Sequence, residues 1–174
     1  MTNLNGIRGG ALYLEESENN KLSADRYGKY KILGSTFSSN KANAGGAIYL
    51  KNTQYVTIGK ASKFLSNVAK NSSDESLRKV RGAGGAIFYE CNEDSFDCLL
   101  DISYTTFSYN YAGIKGGAVH WDTVEPLFGG ITNNGNFSLL RYKDNRAGRY
   151  GDNISTFPHQ IALISDQDYK STIF

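Results

Sequence analysis

The sequence predicts an all-β fold, a right-handed parallel β-helix of about four to five rungs with three short strands in each. Three observations predict it. A Gly-Gly-Ala-apolar motif recurs, an aromatic-x-x-Asn motif precedes most copies of it, and a short apolar patch lies a few residues before each aromatic. The chain of 174 residues has the length of one domain or of part of one. Hydrophobic residues make up 40% and aromatics 13%, enough for a sizeable core and too apolar for disorder. Glycine at 19 against two prolines and one methionine suits short strands and many turns rather than helices. A formal net charge of +2 demands neither a nucleic acid nor an anionic membrane as partner. No run approaches the roughly eighteen apolar residues of a membrane helix. The opening MTNLNGIRGG lacks the basic and apolar regions of a signal peptide.

The glycine motif reads Gly9-Gly10-Ala11-Leu12, Gly45-Gly46-Ala47-Ile48, Gly84-Gly85-Ala86-Ile87 and Gly116-Gly117-Ala118-Val119, with a degenerate fifth copy at Tyr150-Gly151-Asp152-Asn153. The aromatic motif reads Phe37…Asn40, Phe64…Asn67, Phe107…Asn110 and Tyr142…Asn145. The apolar patches are Tyr30-Lys31-Ile32, Val56-Thr57-Ile58, Leu100-Asp101-Ile102 and Gly135-Asn136-Phe137. Alternation of period two within these segments fits strands.

A single rung cannot bury its apolar face alone, so equivalent residues stack into columns about 4.8 Å apart. Leu12, Ile48, Ile87 and Val119 should point inward, as should Leu14, Leu50, Tyr89 and Trp121 two residues on. Phe37, Phe64, Phe107 and Tyr142 should form an inward aromatic column. Gly-Gly-Ala allows a sharp corner at positive φ. Asn40, Asn67, Asn110 and Asn145 should form the other corner, tolerating left-handed backbone and hydrogen-bonding the turn above or below. Their role is therefore structural.

Polar insertions at 17–29, 70–83, 91–99 and 123–134 break the spacing and read as surface loops. The β-helix domain is expected over 1–158, beginning mid-rung, because Asn3 stands six residues before Gly9 as Asn110 does before Gly116. A β-helix that begins inside a rung exposes an apolar end, which the rest of a longer chain or a neighbouring copy would cover. Residues 159–174, with Ile161-Ala162-Leu163-Ile164, are expected to form a C-terminal cap or edge strand.

Gly-Gly-Ala followed by Ile, Leu or Val and paired with Phe-x-x-Asn resembles the repeat of the chlamydial polymorphic outer membrane proteins. Similar repeats occur in large secreted or surface proteins of other bacteria and of ciliates. The resemblance covers roughly residues 3–158. It implies β-helical passenger regions of the pectin-lyase-like type that serve adhesion or surface coverage, and it brings no catalytic residues. The chain departs from the bacterial pattern in its long insertions and its fewer, longer units. Its YGDNISTFP segment is more like the ciliate versions. It shows no outer-membrane barrel segment, so autotransport does not follow. Handedness rests on the rule for parallel crossovers together with this resemblance.

The outward side of the third strand supplies the candidate site. Tyr13, Tyr49, Phe88 and His120 form one column, and Glu15, Lys51, Glu90 and Asp122 the next outward one. An aromatic ladder beside charges would make a flat sugar-binding face. The alternative is plain cross-strand stacking, worth about 0.2–1 kcal/mol per pair. Glu90 and Asp122 fall on adjacent rungs about 5 Å apart at the backbone. Such a pair, with His120 nearby, is the arrangement a retaining glycosidase would use, although the paired aspartates and basic clusters of pectin-degrading β-helices are missing. The same carboxylates with loop carbonyls would be a poor Ca²⁺ site without DxDxDG spacing. His120 and His159 stand apart from any ligand motif, and no serine sits in a Gly-x-Ser-x-Gly elbow. The glycine pairs are not phosphate loops. Arg78-Lys79-Val80-Arg81 reads as a solvated loop or an anion contact.

Cys91 and Cys98, the only cysteines, either close a small loop as a disulfide in an oxidising compartment or remain thiols. Sequons occur at Asn71, Asn136 and Asn153. The expected function is a non-enzymatic, extracellular or cell-surface structural or adhesive module, without a cofactor. It would be part of a large surface protein or a subunit stacking end to end into a filament. The alternative is a carbohydrate-binding or carbohydrate-cleaving β-helix.

Overall fold

The structure, a computed structural model, describes residues 8–16, 30–92, 97–129 and 139–156. The chain coils through them. The first coil contains β1 (Leu12–Glu15), β2 (Tyr30–Leu33), β3 (Thr36–Ser38) and β4 (Lys41–Ala42). The second contains β5 (Ile48–Lys51), β6 (Val56–Gly59), β7 (Lys63–Leu65) and β8 (Val68–Ala69). The third contains β9 (Ile87–Glu90), β10 (Leu100–Ile102), β11 (Thr106–Ser108) and β12 (Tyr111–Ala112). The fourth contains β13 (Val119–Trp121), β14 (Leu127–Phe128), β15 (Arg141–Lys143) and β16 (Arg146–Ala147), and β17 (Ile154–Thr156) opens a fifth. Equivalent strands pair in parallel and in strict coil order, giving one five-stranded and three four-stranded sheets. The described residues thus form the parallel β-helix that the repeat predicts.

Two strands differ from the sequence reading. Each rung carries a fourth, two-residue strand just after its Asn, too short to show a periodicity. The fourth member of the second sheet is β14, inside a stretch expected to be a loop, with Phe128 in register with Ile102. The patch expected there, 135–137, lies outside the described residues, as do residues 159–174.

The inward columns are as the alternation requires. Ile48, Leu50, Ile87, Tyr89, Val119 and Trp121 share one core cluster with Phe64 and Phe107. The Phe37, Phe64, Phe107 and Tyr142 rings stack at 4.9, 4.9 and 5.5 Å with interplanar angles of 6–12°. Each contact adds about 0.5–1.5 kcal/mol beyond the area it buries.

The asparagines form a continuous ladder. Asn67 Oδ1 accepts from the backbone N–H and Nδ2 of Asn40 at 3.0 and 2.9 Å. Asn110 Oδ1 serves Asn67 in the same way, and Asn145 Oδ1 serves Asn110. The Nδ2 groups of Asn67, Asn110 and Asn145 also donate to the carbonyls of Phe37, Phe64 and Phe107 at 3.0 Å. The left-handed residue at this corner is not the expected Asn but the one before it. Ser39, Ser66, Tyr109 and Asp144 have φ of 51–58°. That leaves the Asn side chain free to point along the stack rather than to hold its own turn.

The two glycines of each pair answer different demands. The first takes positive φ, as at Gly45 (58°) and Gly84 (64°). The second is short of space. A Cβ on Gly46 would stand 2.0 Å from the Gly85 carbonyl oxygen, and one on Gly85 2.0 Å from that of Gly117.

Asn110→Ala removes the acceptor for both Asn67 donors and leaves buried groups unpaired. It should cost about 2–4 kcal/mol, read from the urea midpoint, whereas substitution of exposed Asp144 by Asn should leave that midpoint within error.

Candidate functional site

The predicted aromatic ladder exists, and the register is the expected one. Tyr13 pairs with Tyr49, Tyr49 with Phe88 and Phe88 with His120. Their rings lie 5.4, 4.9 and 5.1 Å apart. The expectation of an exposed sugar-binding face fails, however. Tyr49, Phe88 and His120 are each 0% exposed, and only Tyr13, at 39%, reaches solvent. Over Tyr49 and Phe88 the cover is the 70–83 insertion, expected as a polar surface loop. It makes a short 3-10 turn at Glu75–Leu77, with Asp74 Oδ1 accepting from the Ser76 N–H at 2.9 Å. It then lays Leu77 and Val80 against Tyr49, Phe88, Ala44 and Ala83. The signal in the sequence was the Leu77/Val80 pair, two apolar residues three apart in a polar stretch. Beside this cover the Arg8 guanidinium lies 5.5 Å from the centroid of the Tyr49 ring.

Glu90 and Asp122 do occupy adjacent rungs, with the Asp122 N–H donating to the Tyr89 carbonyl at 3.0 Å. Each carboxylate has its own company. Glu90 accepts from the buried Tyr49 hydroxyl. Burial, and then this bond, hold the Tyr49 phenol far above its ordinary range. Asp122 is the acidic neighbour of the nearly buried Lys115, whose amine burial pushes down to about 8. One column over, Lys51 Nζ bonds Glu15 Oε1 at 2.6 Å, which lowers the Glu15 carboxyl. Among the described residues no three His, Cys, Asp or Glu converge as a metal site.

The sequence reading missed Ser155. Its hydroxyl lies 2.8 Å from His120 Nδ1 on the neighbouring rung, and both residues are buried. Burial, then the Lys115 charge, depress His120 to about 3. The imidazole is neutral at ordinary pH, so the pair holds two rungs together.

Cys91 and Cys98 form a disulfide with both sulfurs against the core. Closing so short a loop contributes about 2 kcal/mol in the chain-entropy view. Asn71 and Asn153 are exposed, and Asn136 lies outside the described residues. Several clefts stay open among the described residues. One, of about 520 Å³, gathers Arg78, Lys79, Arg81, Lys115 and Arg149 around Asn71 and Tyr150. Arg81 there donates to the Ser72 carbonyl at 2.8 Å and lies 3.6 Å from Glu75. Another, of about 450 Å³, lies between Tyr55 and Tyr104, with Lys31, Lys60 and Asp101. Asp101 Oδ1 is buried without a hydrogen-bond partner among the described residues, and burial raises its carboxyl.

A family model of the Chlamydia polymorphic membrane protein repeat matches residues 34–51, the stretch that runs from Phe37 through the Asn40 corner and the second glycine pair. No curated protein and no solved structure matches the chain.

His120 makes stability sensitive to acid. Above pH 6.5 the imidazole is neutral folded and unfolded and contributes no slope. Between 6.5 and about 3 the unfolded chain takes a proton that the folded one refuses, so stability falls as pH falls, by up to about 1.4 kcal/mol per unit. Melting temperatures measured from pH 7 to pH 4 should fall less steeply for His120→Phe than for the parent.

Proposed function

With the repeat match at residues 34–51, from β3 to β5, as the premise, we propose that the chain is a stiff structural or adhesive module of a surface protein, displayed outside the cell. The observation that carries this reading is where the repeated residues go. Phe, Asn, both glycines and the inward aliphatics are all spent on holding rung to rung. Chemistry seldom recurs identically in every unit, whereas a rod needs the same contacts each time. The match to a membrane-protein repeat at residues 34–51 supports a surface location. So does the Cys91–Cys98 disulfide, which persists in oxidising compartments. The exposed sequons at Asn71 and Asn153 fit the same setting and would make the module a glycoprotein.

Contacts with partners fall to the insertions and the open clefts. Glycan binding is a second reading, favoured by the Tyr55/Tyr104 cleft, where rings and hydrogen-bonding groups line one open surface. Tyr49, Phe88 and His120 are buried and do not contribute to it.

Intact cells that express the native protein should stain with an antibody to this chain before permeabilisation. Alkylation before lysis should leave Cys91 and Cys98 unmodified. Staining that appears only after permeabilisation would overturn the surface reading. In a glycan panel, a signal lost on Tyr104→Ala would establish the second reading.

A further inference from the structure

The degenerate fifth copy of the glycine motif departs from the others in a specific way. Asp152 stands where Gly10, Gly46, Gly85 and Gly117 stand in the earlier copies. In each earlier rung that glycine has no room for a side chain, because the carbonyl of its counterpart in the following rung presses on it. The separations from an added Cβ are 2.3 Å at Gly10, 2.0 Å at Gly46 and Gly85, and 2.1 Å at Gly117. A following rung of the same geometry would therefore collide with the Cβ that Asp152 carries.

The polar atoms at this edge tell the same story independently. The alanines of the two-residue strands turn their backbone groups toward the following rung. The Ala42, Ala69 and Ala112 carbonyls accept from the Lys70, Gly113 and Gly148 N–H groups at 2.8, 2.8 and 2.9 Å. Ala147 is the next member of this column, in register with Ala112. Its N–H donates instead to Asp152 Oδ1 at 2.9 Å. The Asn ladder ends in a parallel manner. Asn40, Asn67 and Asn110 each donate Nδ2 to the Asn of the following rung. Asn145 donates its Nδ2 to Asn153 Oδ1 at 3.1 Å.

We infer that Asp152-Asn153 is a built-in stop for the coil. Two side-chain oxygens take the places that a following rung would fill, and the Asp152 Cβ excludes such a rung. The surface so closed is a sheet edge, the feature through which β-proteins pair with further copies. The stop makes this face unable to accept a second copy of the chain in register, and so opposes end-to-end stacking.

The test separates the carboxylate from the Cβ. Backbone amide exchange on the full chain should show Ala147 protected in the parent. In Asp152→Ala that protection should fall about tenfold or more, with Ala112 unchanged. Asp152→Ala keeps the Cβ and should stay at the parent's mass in sedimentation. Asp152→Gly restores the glycine pair and should associate as concentration rises. Asn153→Ala gives a further reading, through faster exchange of the Asn145 side-chain amide. Asp152 is exposed, and a retained far-ultraviolet β signal identifies folded variants. Equal Ala147 exchange in parent and Asp152→Ala would overturn the hydrogen-bonding part of the proposal. Asp152→Gly that stays at the parent's mass at every concentration would overturn the steric part.

Discussion

The rest of the structure depends on one spacing, that between hydrogen-bonded parallel strands. Once the backbone sets a rise near 4.8 Å per rung, every column must repeat at it. Flat rings do so easily, and the Phe37, Phe64 and Phe107 centroids sit 4.9 Å apart. Primary amides do so too, since Asn offers an acceptor to one neighbour and donors to the other, and the ladder from Asn40 to Asn145 uses both. Where the chain turns so tightly that backbones of successive rungs touch, only glycine fits. The composition of the repeat follows from that spacing rather than from any ligand.

The same spacing explains why the outside of the coil is a poor place to look for a site by pattern alone. Tyr13, Tyr49, Phe88 and His120 stack because their strands are in register, whatever lies above them. Whether they meet solvent is decided by an insertion that leaves the coil after β8 and returns before β9. With Leu77 and Val80 laid on them, Tyr49 and Phe88 became an outer core. The side chains that line the open clefts are ones that do not repeat. Arg78, Lys79 and Arg149 border one open cleft, and Tyr55 and Tyr104 border another.

Much of the fold was legible because its elements recur. The inward columns, the Phe stack and the role of the asparagines follow from alternation and from order within the repeat. The β4 type of strand was not legible, since two residues carry no period. Nor was β14, whose Leu127-Phe128 lacks the longer patch of Val56–Ile58. The burial of Tyr49 and Phe88 was hidden because the cover lies in a polar stretch with two apolar residues. Ser155 was hidden for another reason. A hydroxyl beside a histidine one rung away is close only after stacking, and the two residues are 35 apart in sequence.

Strands of two to four residues have a mechanical consequence. A load applied along the stack does not shear long strands against each other. It falls on one rung-to-rung seam at a time. Each released rung frees the 32 to 39 residues between successive glycine pairs. Drawn out, that is a length on the order of 11–14 nm. Under tension such a module would yield in discrete, similar steps while the remaining seams keep their geometry. The Cys91–Cys98 bridge would shorten the step that contains it. A short coil of this kind can act as an extensible tether as well as a spacer.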